Sequence, residues 1–299
     1  MPKIAYIKKG FNSKSLEQIG IANVIIEEYQ NQGFDLTLRQ LYYQMVAHGH
    51  IENTMRSYKN FGNLLDNARL TGMVDWKAIV DRTRNVQENP HWSAPADIID
   101  SAYRSYRVDF WQFQPYRPEI WIEKDALIGI ISGVCRDFDV PYFACRGYTS
   151  QSEMWGAAQR MLRHKKRGQT PVVFYLGDHD PSGIDMTRDV EDRLEMFIGT
   201  RITVVRLALN WEQVEQYNPP PNPAKLTDSR VENYIAQFGE SSWELDALDP
   251  VAIRNLIEGA LLKIIDQERW DNAVARQEHD KRLLRQVKNR WSEVASYLE

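Results

Sequence analysis

The sequence of 299 residues predicts an α/β protein in which a small parallel sheet follows an N-terminal group of helices. Three observations lead to this fold class. From residue 119 onward, short apolar runs alternate with stretches of helical periodicity, as in repeated βα units. The apolar runs are continuous, which is typical of strands that are buried on both faces. Before residue 119, apolar residues recur at helical spacing instead.

Three helices are predicted in the N-terminal part. The first covers residues 13–31, and its apolar face is formed by Leu16, Ile19, Val24 and Ile25. The second begins at Thr37, which forms a capping-box pattern with Gln40, and runs toward Gly49. The third covers residues 55–71, and a short further element is expected over 75–83. Three short helices with a partly basic surface are typical of a helix-turn-helix or winged-helix module.

The rest of the chain follows in order. Residues 85–118 contain four prolines and are expected to form a connecting region. The four strands are expected at residues 119–123, 140–144, 171–176 and 201–206. The helices between them are expected near residues 125–137, 151–165 and 184–197. A stiff proline-rich loop over 216–228 then precedes helices at 250–266 and 271–298.

Acidic side chains follow two of the predicted strands. Asp178 and Asp180 come directly after the run 171–176, and Glu123 ends the run 119–123. The carboxyl ends of parallel strands meet at one edge of the sheet, where α/β proteins bind ligands. Carboxylates gathered there can share a hard cation such as Mg²⁺. The alternative is that each acid only caps the helix that follows it.

A pair of tyrosines, Tyr42 and Tyr43, lies on the capped second helix. Arg39 precedes Tyr43 by four residues and therefore shares its helical face. A phenol with a pKa near 10 is a poor nucleophile, but a guanidinium would favour the phenolate and bind a phosphate oxygen. Together with metal ions, these groups suffice for a transesterification that leaves Tyr43 joined to a DNA end. The alternative is that both tyrosines are core aromatics.

Composition excludes several classes of protein. With 43% hydrophobic and 26% charged residues, the chain resembles an ordinary soluble globular protein. No apolar stretch approaches the ~18 residues of a membrane span, and no secretory leader is visible, so a cytoplasmic protein without membrane contact is expected. The two cysteines and six histidines have neither zinc-site nor disulfide-framework spacing.

The N-terminal part contains a basic stretch, although the net charge of the chain is −4. Residues 37–84 contain seven basic and four acidic residues. Because affinity for DNA depends on local cations at phosphates, this excess is weak support for DNA binding. The candidate phosphate contacts are Arg39, Arg56, Lys59, Arg69, Arg82 and Arg84.

These motifs resemble the A subunit of topoisomerase VI and its relative, the meiotic double-strand-break transesterase. Residues 34–43 are similar to the family's tyrosine helix, 121–125 to the first strand of its Toprim domain, and 177–183 to its DxD segment. Compact bacterial and phage-borne relatives are more similar still. The resemblance implies Tyr43 as the nucleophile with Arg39 beside it, Glu123 as the invariant acid, and Asp178 and Asp180 as Mg²⁺ ligands.

The resemblance also implies an organisation. A winged-helix DNA-binding domain would cover residues 1–115, a Toprim domain with a Rossmann-like four-stranded parallel sheet 116–210, and a helical extension packed on it 211–299. The protein would be a homodimer that breaks double-stranded DNA, with the tyrosine of one protomer facing the acids of the other. Strand passage would require a separate ATPase subunit, so complete topoisomerase (isomerase) activity from this chain alone is not expected.

Two other functions stay open from the sequence. In the first, the metal site acts as a hydrolytic nuclease, with metal-activated water as the nucleophile and Tyr43 as a packing residue. In the second, the protein is a non-catalytic DNA-binding or assembly protein.

Overall fold

A computed structural model describes residues 3–79, 89–223 and 230–298. It is a mixed α/β structure built around a four-stranded parallel sheet, as the sequence predicts. The N-terminal helices are α1 (Ser13–Asn31), α2 (Leu38–Ala47), α3 (Met55–Leu70) and α4 (Pro95–Ser105). The sheet region contains β1 (Tyr116–Ile122), α5 (Ile128–Asp137), β2 (Tyr142–Ala144), α6 (Gln151–Lys166), β3 (Thr170–Leu176), α7 (Pro181–Ile198) and β4 (Thr203–Ala208).

The C-terminal part has short elements and then longer helices. These are α8 (Trp211–Tyr217), β5 (Asn222–Pro223), α9 (Val231–Phe238), β6 (Ser241–Ser242), α10 (Pro250–Leu262), α11 (Gln267–Asn289) and α12 (Trp291–Leu298). Strands β5 and β6 pair antiparallel. Among the described residues, no helix is both long and apolar enough to cross a membrane.

The order of the strands determines where a site can form. It is β2-β1-β3-β4, with every pair parallel and Ile122 beside Leu176 in the central pair. The chain moves outward from β1 to β2 on one side, then returns to build β3 and β4 on the other side. The carboxyl ends of β1 and β3 therefore flank the point where the strand order reverses, which is where open α/β sheets bind ligands.

Both faces of the sheet are covered, as continuous apolar strands require. On one face, Ile122 and Leu176 belong to the core that includes α5 and α10. On the other face, Trp121 and Tyr175 pack against α6 and α7. Because side chains alternate along a strand, the central strands β1 and β3 each supply both cores.

Helices α1, α2 and α3 share a separate core that contains Tyr42 and Tyr43. The capping box at Thr37 is confirmed, since its hydroxyl accepts from the Gln40 amide and the Gln40 side chain accepts from the Thr37 amide. The expected apolar face of α1 was wrong at two positions, because Leu16 is 44% and Val24 65% exposed. The buried face is formed instead by Ile19, Ala22, Ile25, Ile26 and Tyr29.

Other expected elements need correction. The connecting region contains helix α4, which begins with Pro95. Proline is tolerated in the first turn of a helix because the backbone N–H that it lacks would have no partner within the helix. The helix expected over 271–298 begins earlier and is divided between α11 and α12. The expected loop over 216–228 includes the end of α8 and β5, and its residues 224–228 lie outside the described part. Of the element expected over 75–83, residues 75–79 contain one isolated bridge, from Ile79 to Leu36, and the rest lies outside the described part.

The segment 241–248 connects the sheet to the N-terminal helices. Leu245 and Leu248 are buried in the core beneath the sheet, whereas Ala247 is buried among α1, α2 and α3. The backbone of Trp243 also exchanges two hydrogen bonds with that of His179, just beyond β3. Any charged side chain on this segment is therefore brought to the carboxyl edge of the sheet.

Candidate functional site

The three acids lie where the strand order reverses. Glu123 follows β1 and Asp178 follows β3, and the Asp178 amide donates to Glu123 Oε2 at 2.9 Å. Glu123, Asp178 and Asp180 are all buried. Burial raises the pKa of Glu123, although the Asp178 amide and the charge of Lys124 oppose this shift.

Asp178 is held through both carboxylate oxygens. Oδ1 accepts from the Leu245 amide at 2.8 Å, and Oδ2 lies 2.7 Å from Lys124 Nζ. Burial raises the pKa of this carboxyl to about 7, with Lys124 opposing and Glu123 adding to the shift. Removing charged carboxylates from water is unfavourable, so a cation that enters the site would stabilise their ionised form.

Asp180 caps helix α7. Its Oδ1 accepts from the Gly183 amide at 2.6 Å and from the Ser182 hydroxyl at 2.9 Å. The capping interpretation is therefore correct for Asp180, and the same residue also lines a cavity between α2, α3 and the end of β3. His179, between the two aspartates, packs among aromatic rings, with Nδ1 2.8 Å from the Tyr234 hydroxyl. Burial lowers the pKa of His179 to about 4.

Arg206, on β4, fixes the backbone of the DxD segment. Its guanidinium donates to the carbonyl oxygens of Asp178 at 2.5 Å and Gly183 at 2.9 Å. It also donates to the carbonyls of Gly177 and Leu209 and to the Thr187 hydroxyl. This half-buried cation joins the end of β3 to the first turn of α7, so the position of Asp178 and Asp180 depends on it.

The tyrosine helix faces this edge of the sheet in the same chain. A cavity of about 420 Å³ lies between α2, α3, the DxD segment and the 241–248 segment. Its lining includes Tyr43, Arg39, Asp178, Asp180 and Glu244. One protomer therefore brings the tyrosine and the aspartates together. The expected exchange between two protomers is not needed for this.

Arg39 favours the Tyr43 phenolate, as expected, but other groups around the phenol outweigh it. The pKa of Tyr43 is raised, because burial and the charge of Glu244 outweigh the opposing effects of Asn222 and Arg39. Arg39 is itself engaged: it forms an ion pair with Glu244, and its Nε lies 3.0 Å from Asp246 Oδ2. The guanidinium lies 5.8 Å from the centre of the Tyr43 ring.

Sequence reasoning assigned no role to Lys124, Glu244 or Asp246. Lys124 Nζ lies 3.1 Å from Glu244 Oε2 and 3.5 Å from Asp246 Oδ2, in addition to its contact with Asp178. Burial would lower the pKa of Lys124, but the three carboxylates together raise it. One signal was available: the acids at 244 and 246 repeat the two-residue spacing of the pair at 178 and 180.

The remaining candidate DNA contacts have different environments. Arg56 and Lys59 are exposed on α3, next to Met55 and Tyr58, which line the cavity. Arg69 packs against Trp76 instead, because it donates to the Trp76 carbonyl at 2.9 Å and its guanidinium lies over the Trp76 ring. The candidates Arg82 and Arg84 lie outside the described residues.

The donor set partly fits a divalent cation. Among the described residues, no group of three or more His, Cys, Asp or Glu side chains has its atoms arranged to hold a metal ion. The chemistry is nonetheless suitable, since carboxylates are the ligands Mg²⁺ prefers. Asp246 has a side chain that is 1% exposed; its Oδ1 lacks a hydrogen-bond partner, and its Oδ2 is engaged by ion pairs with Arg39 and Lys124. The connected cluster has an excess of carboxylates over cations: Glu123, Asp178, Asp180, Glu244 and Asp246 against Arg39, Lys124 and Arg206.

Comparison with protein-family models and with curated proteins gave no match. The resemblance described above therefore depends on its sequence motifs alone.

Proposed function

We propose that the protein is a DNA-cleaving transesterase resembling the topoisomerase VI A subunit, with Tyr43 as the nucleophile. The observation that carries the proposal is that Tyr43 and the two aspartates of the DxD segment line one cavity. The two motifs are separated by 135 positions in the sequence, yet the fold brings them to the same edge of the sheet. Metal-assisted phosphoryl transfer requires a nucleophile, which the phenol would supply, and ligands for a metal ion, which the carboxylates would supply.

In the proposed reaction, the Tyr43 oxygen forms a bond to the phosphorus of a DNA phosphodiester. The bond from phosphorus to one deoxyribose oxygen breaks, and that oxygen leaves as a hydroxyl after it accepts the proton lost by the phenol through solvent. The DNA end stays joined to Tyr43 as a phosphodiester. Reversal by the free hydroxyl reseals the strand without any other energy source.

The carboxylates would hold Mg²⁺, with Glu123, Asp178 and Asp180 as its ligands. Bound Mg²⁺ supplies a positive charge for the reacting phosphate and the leaving oxygen. The residues themselves prepare this site. Arg206 fixes the carbonyls of Asp178 and Gly183, and the Asp178 amide positions Glu123. Exposed Arg56 and Lys59 would hold DNA through its phosphates, which gives little sequence preference.

A hydrolytic nuclease is the second candidate, and a specific observation favours it. Tyr43 is 4% exposed and its pKa is raised by burial, so the phenol is not activated in this arrangement. In this candidate, water attacks the phosphodiester and Tyr43 only packs. The two functions share the acidic cluster and differ in whether protein stays attached to the product.

A cleavage assay with detergent separates the two functions. Supercoiled plasmid is incubated with the protein and Mg²⁺, denatured with detergent, and examined for DNA ends that carry protein. We expect protein-linked ends from the wild type and from Tyr58→Phe, which removes a hydroxyl from the same cavity. We expect none from Tyr43→Phe or from Asp178→Asn.

The opposite results have definite meanings. Free ends that persist in Tyr43→Phe but not in Asp178→Asn would replace the transesterase by the hydrolytic nuclease. The absence of any cutting by folded wild-type protein, with Mg²⁺ or Mn²⁺ and with linear or supercoiled DNA, would contradict both.

A further inference from the structure

The side chain of Glu244 lies between two basic groups at the entrance to the acidic cluster. It forms an ion pair with Arg39 from α2, and its Oε2 lies 3.1 Å from Lys124 Nζ at the end of β1. The three residues come from three distant parts of the chain. The side chain of Glu244 is held by these two cations in a cavity that Tyr43 also lines.

A carboxylate in this position imitates a phosphate. A guanidinium and an ammonium bind the oxygens of carboxylates and phosphates in similar geometry. The two cations also lower the pKa of Glu244, although burial alone would raise it, so the side chain stays anionic. The pair Arg39 and Lys124 is thus an anion site whose present occupant is part of the same chain.

The occupant is not required by the fold around it. The side chain of Glu244 is 24% exposed, and among the described residues it forms hydrogen bonds and ion pairs with Arg39 and Lys124. The neighbouring Asp246 is different, because its side chain is 1% exposed and forms ion pairs with the same two cations on the buried side of the site. Asp246 can hold Arg39 and Lys124 in place while Glu244 moves out.

We propose that Arg39 and Lys124 form a binding site for one phosphate of the DNA backbone, and that Glu244 occupies this site until DNA displaces it. The inference rests on the proposed function, since it places a substrate phosphate beside Tyr43. It assigns Lys124 a role in binding DNA, and it makes Glu244 a competitor that weakens binding. The protein without DNA would then keep its two site cations neutralised, which disfavours binding of unrelated anions.

The test measures binding rather than cleavage. All variants also carry Tyr43→Phe, and a chelator is present, so that binding is measured without cleavage. A fluorescently labelled DNA duplex is titrated with each protein, and fluorescence anisotropy is recorded at several salt concentrations. We expect Glu244→Gln to tighten binding by up to about fivefold, the effect of removing one competing charge pair worth about 1 kcal/mol. Its log–log salt slope should steepen by up to about 1, the effect of one neutralised phosphate, because Glu244 no longer competes for that position while Asp178 and Asp246 stay beside the two cations.

The matched control is Glu240→Gln, which makes the same charge change on an exposed residue outside the cavity. We expect it to change the affinity less than twofold. A double-mutant cycle adds a second comparison. Arg39→Gln should weaken binding several-fold more in the Glu244→Gln background than alone, because in the parent the guanidinium is already engaged by Glu244.

Equal affinities for Glu244→Gln and Glu240→Gln, in proteins with unchanged unfolding temperatures, would overturn the phosphate site. If Glu244→Gln unfolds at a lower temperature than the parent, the double-mutant cycle is repeated with Glu244→Ala in place of Glu244→Gln. An equal effect of Arg39→Gln on DNA affinity in both backgrounds would then overturn the phosphate site. Tighter binding without adducts in the cleavage assay would retain the phosphate site and reject the transesterase. Protein–DNA adducts without tighter binding by Glu244→Gln would retain the transesterase and reject the phosphate site.

Discussion

Gly183, in the first turn of α7, has no room for a side chain. A Cβ added there would lie 2.2 Å from the carbonyl oxygen of Asp178, a backbone atom. The two backbone segments would have to separate by about 1 Å, because protein interiors are close-packed. Neither can move easily, since the Asp178 carbonyl accepts from Arg206 at 2.5 Å and the Gly183 amide donates to Asp180 at 2.6 Å.

The cost of Gly183→Ala follows from these contacts. Overpacking of this kind costs about 1–3 kcal/mol, and loss of the Asp180 cap costs about 1 kcal/mol more. Better helix propensity returns less than about 1 kcal/mol. We expect a net loss of about 2–3 kcal/mol in the free energy of unfolding, which lowers Tm by roughly 5 °C in a protein of this size. DNA cleavage should also fall, because both aspartates are displaced.

The control is Gly156→Ala in the middle of α6, where an added Cβ meets nothing within 4 Å. This substitution should leave Tm unchanged or raise it, since alanine is favoured over glycine in a helix by about 1 kcal/mol. Differential scanning calorimetry on both variants is the assay. If Gly183→Ala unfolds at or above the wild-type temperature while Gly156→Ala behaves as expected, the close approach of α7 to the DxD segment is refuted.

Three further predictions concern the packing that positions the site. Arg206→Met should reduce the free energy of unfolding by about 3–5 kcal/mol in chemical denaturation, because five partly buried acceptors lose their donor. The same measurement should show a change below about 0.5 kcal/mol for the exposed Arg201→Met. Tyr29→Phe should cost about 1–2 kcal/mol by the same measurement, since its hydroxyl donates to Asp249 at 2.7 Å and joins α1 to α10, whereas Tyr6→Phe should be neutral. Burial raises the pKa of both Cys135 and Cys145 to about 12. A thiol reagent at pH 8 should therefore label the native protein at least about a hundredfold more slowly than the unfolded chain. Fast labelling of either thiol would contradict its buried position.

Much of the sheet could be predicted because its signal is local. Continuous apolar runs identified all four strands, and the structure extends the first one back to Tyr116 and the third to Thr170. The acids at the strand ends followed from the general rule for parallel sheets. Helix α4 was missed because prolines usually interrupt structure, whereas Pro95 begins the helix. Val24 was assigned to the wrong face because it neighbours Ile25, and adjacent helical residues point about 100° apart.

The electrostatics of the site could not be predicted in the same way. Arg39 and Tyr43 share a helical face, as their spacing requires, but the state of both depends on Glu244, which is 205 positions from Arg39. Nothing in the sequence near Arg39 indicates that partner. Lys124 was visible in the motif of the first strand, yet its role depends on Asp178, Glu244 and Asp246, which only the folded chain brings together.

The central claim is that Tyr43 attacks DNA beside the acidic cluster of its own chain, and mass spectrometry of the cleavage product tests it most directly. Protein denatured during cleavage is digested with nuclease and with trypsin, which cuts after Arg39 and Arg56 and releases residues 40–56 with both Tyr42 and Tyr43. The account predicts that this peptide carries a nucleotide on Tyr43. Cut DNA accompanied by an unmodified peptide, or by a nucleotide on any other residue, would contradict it.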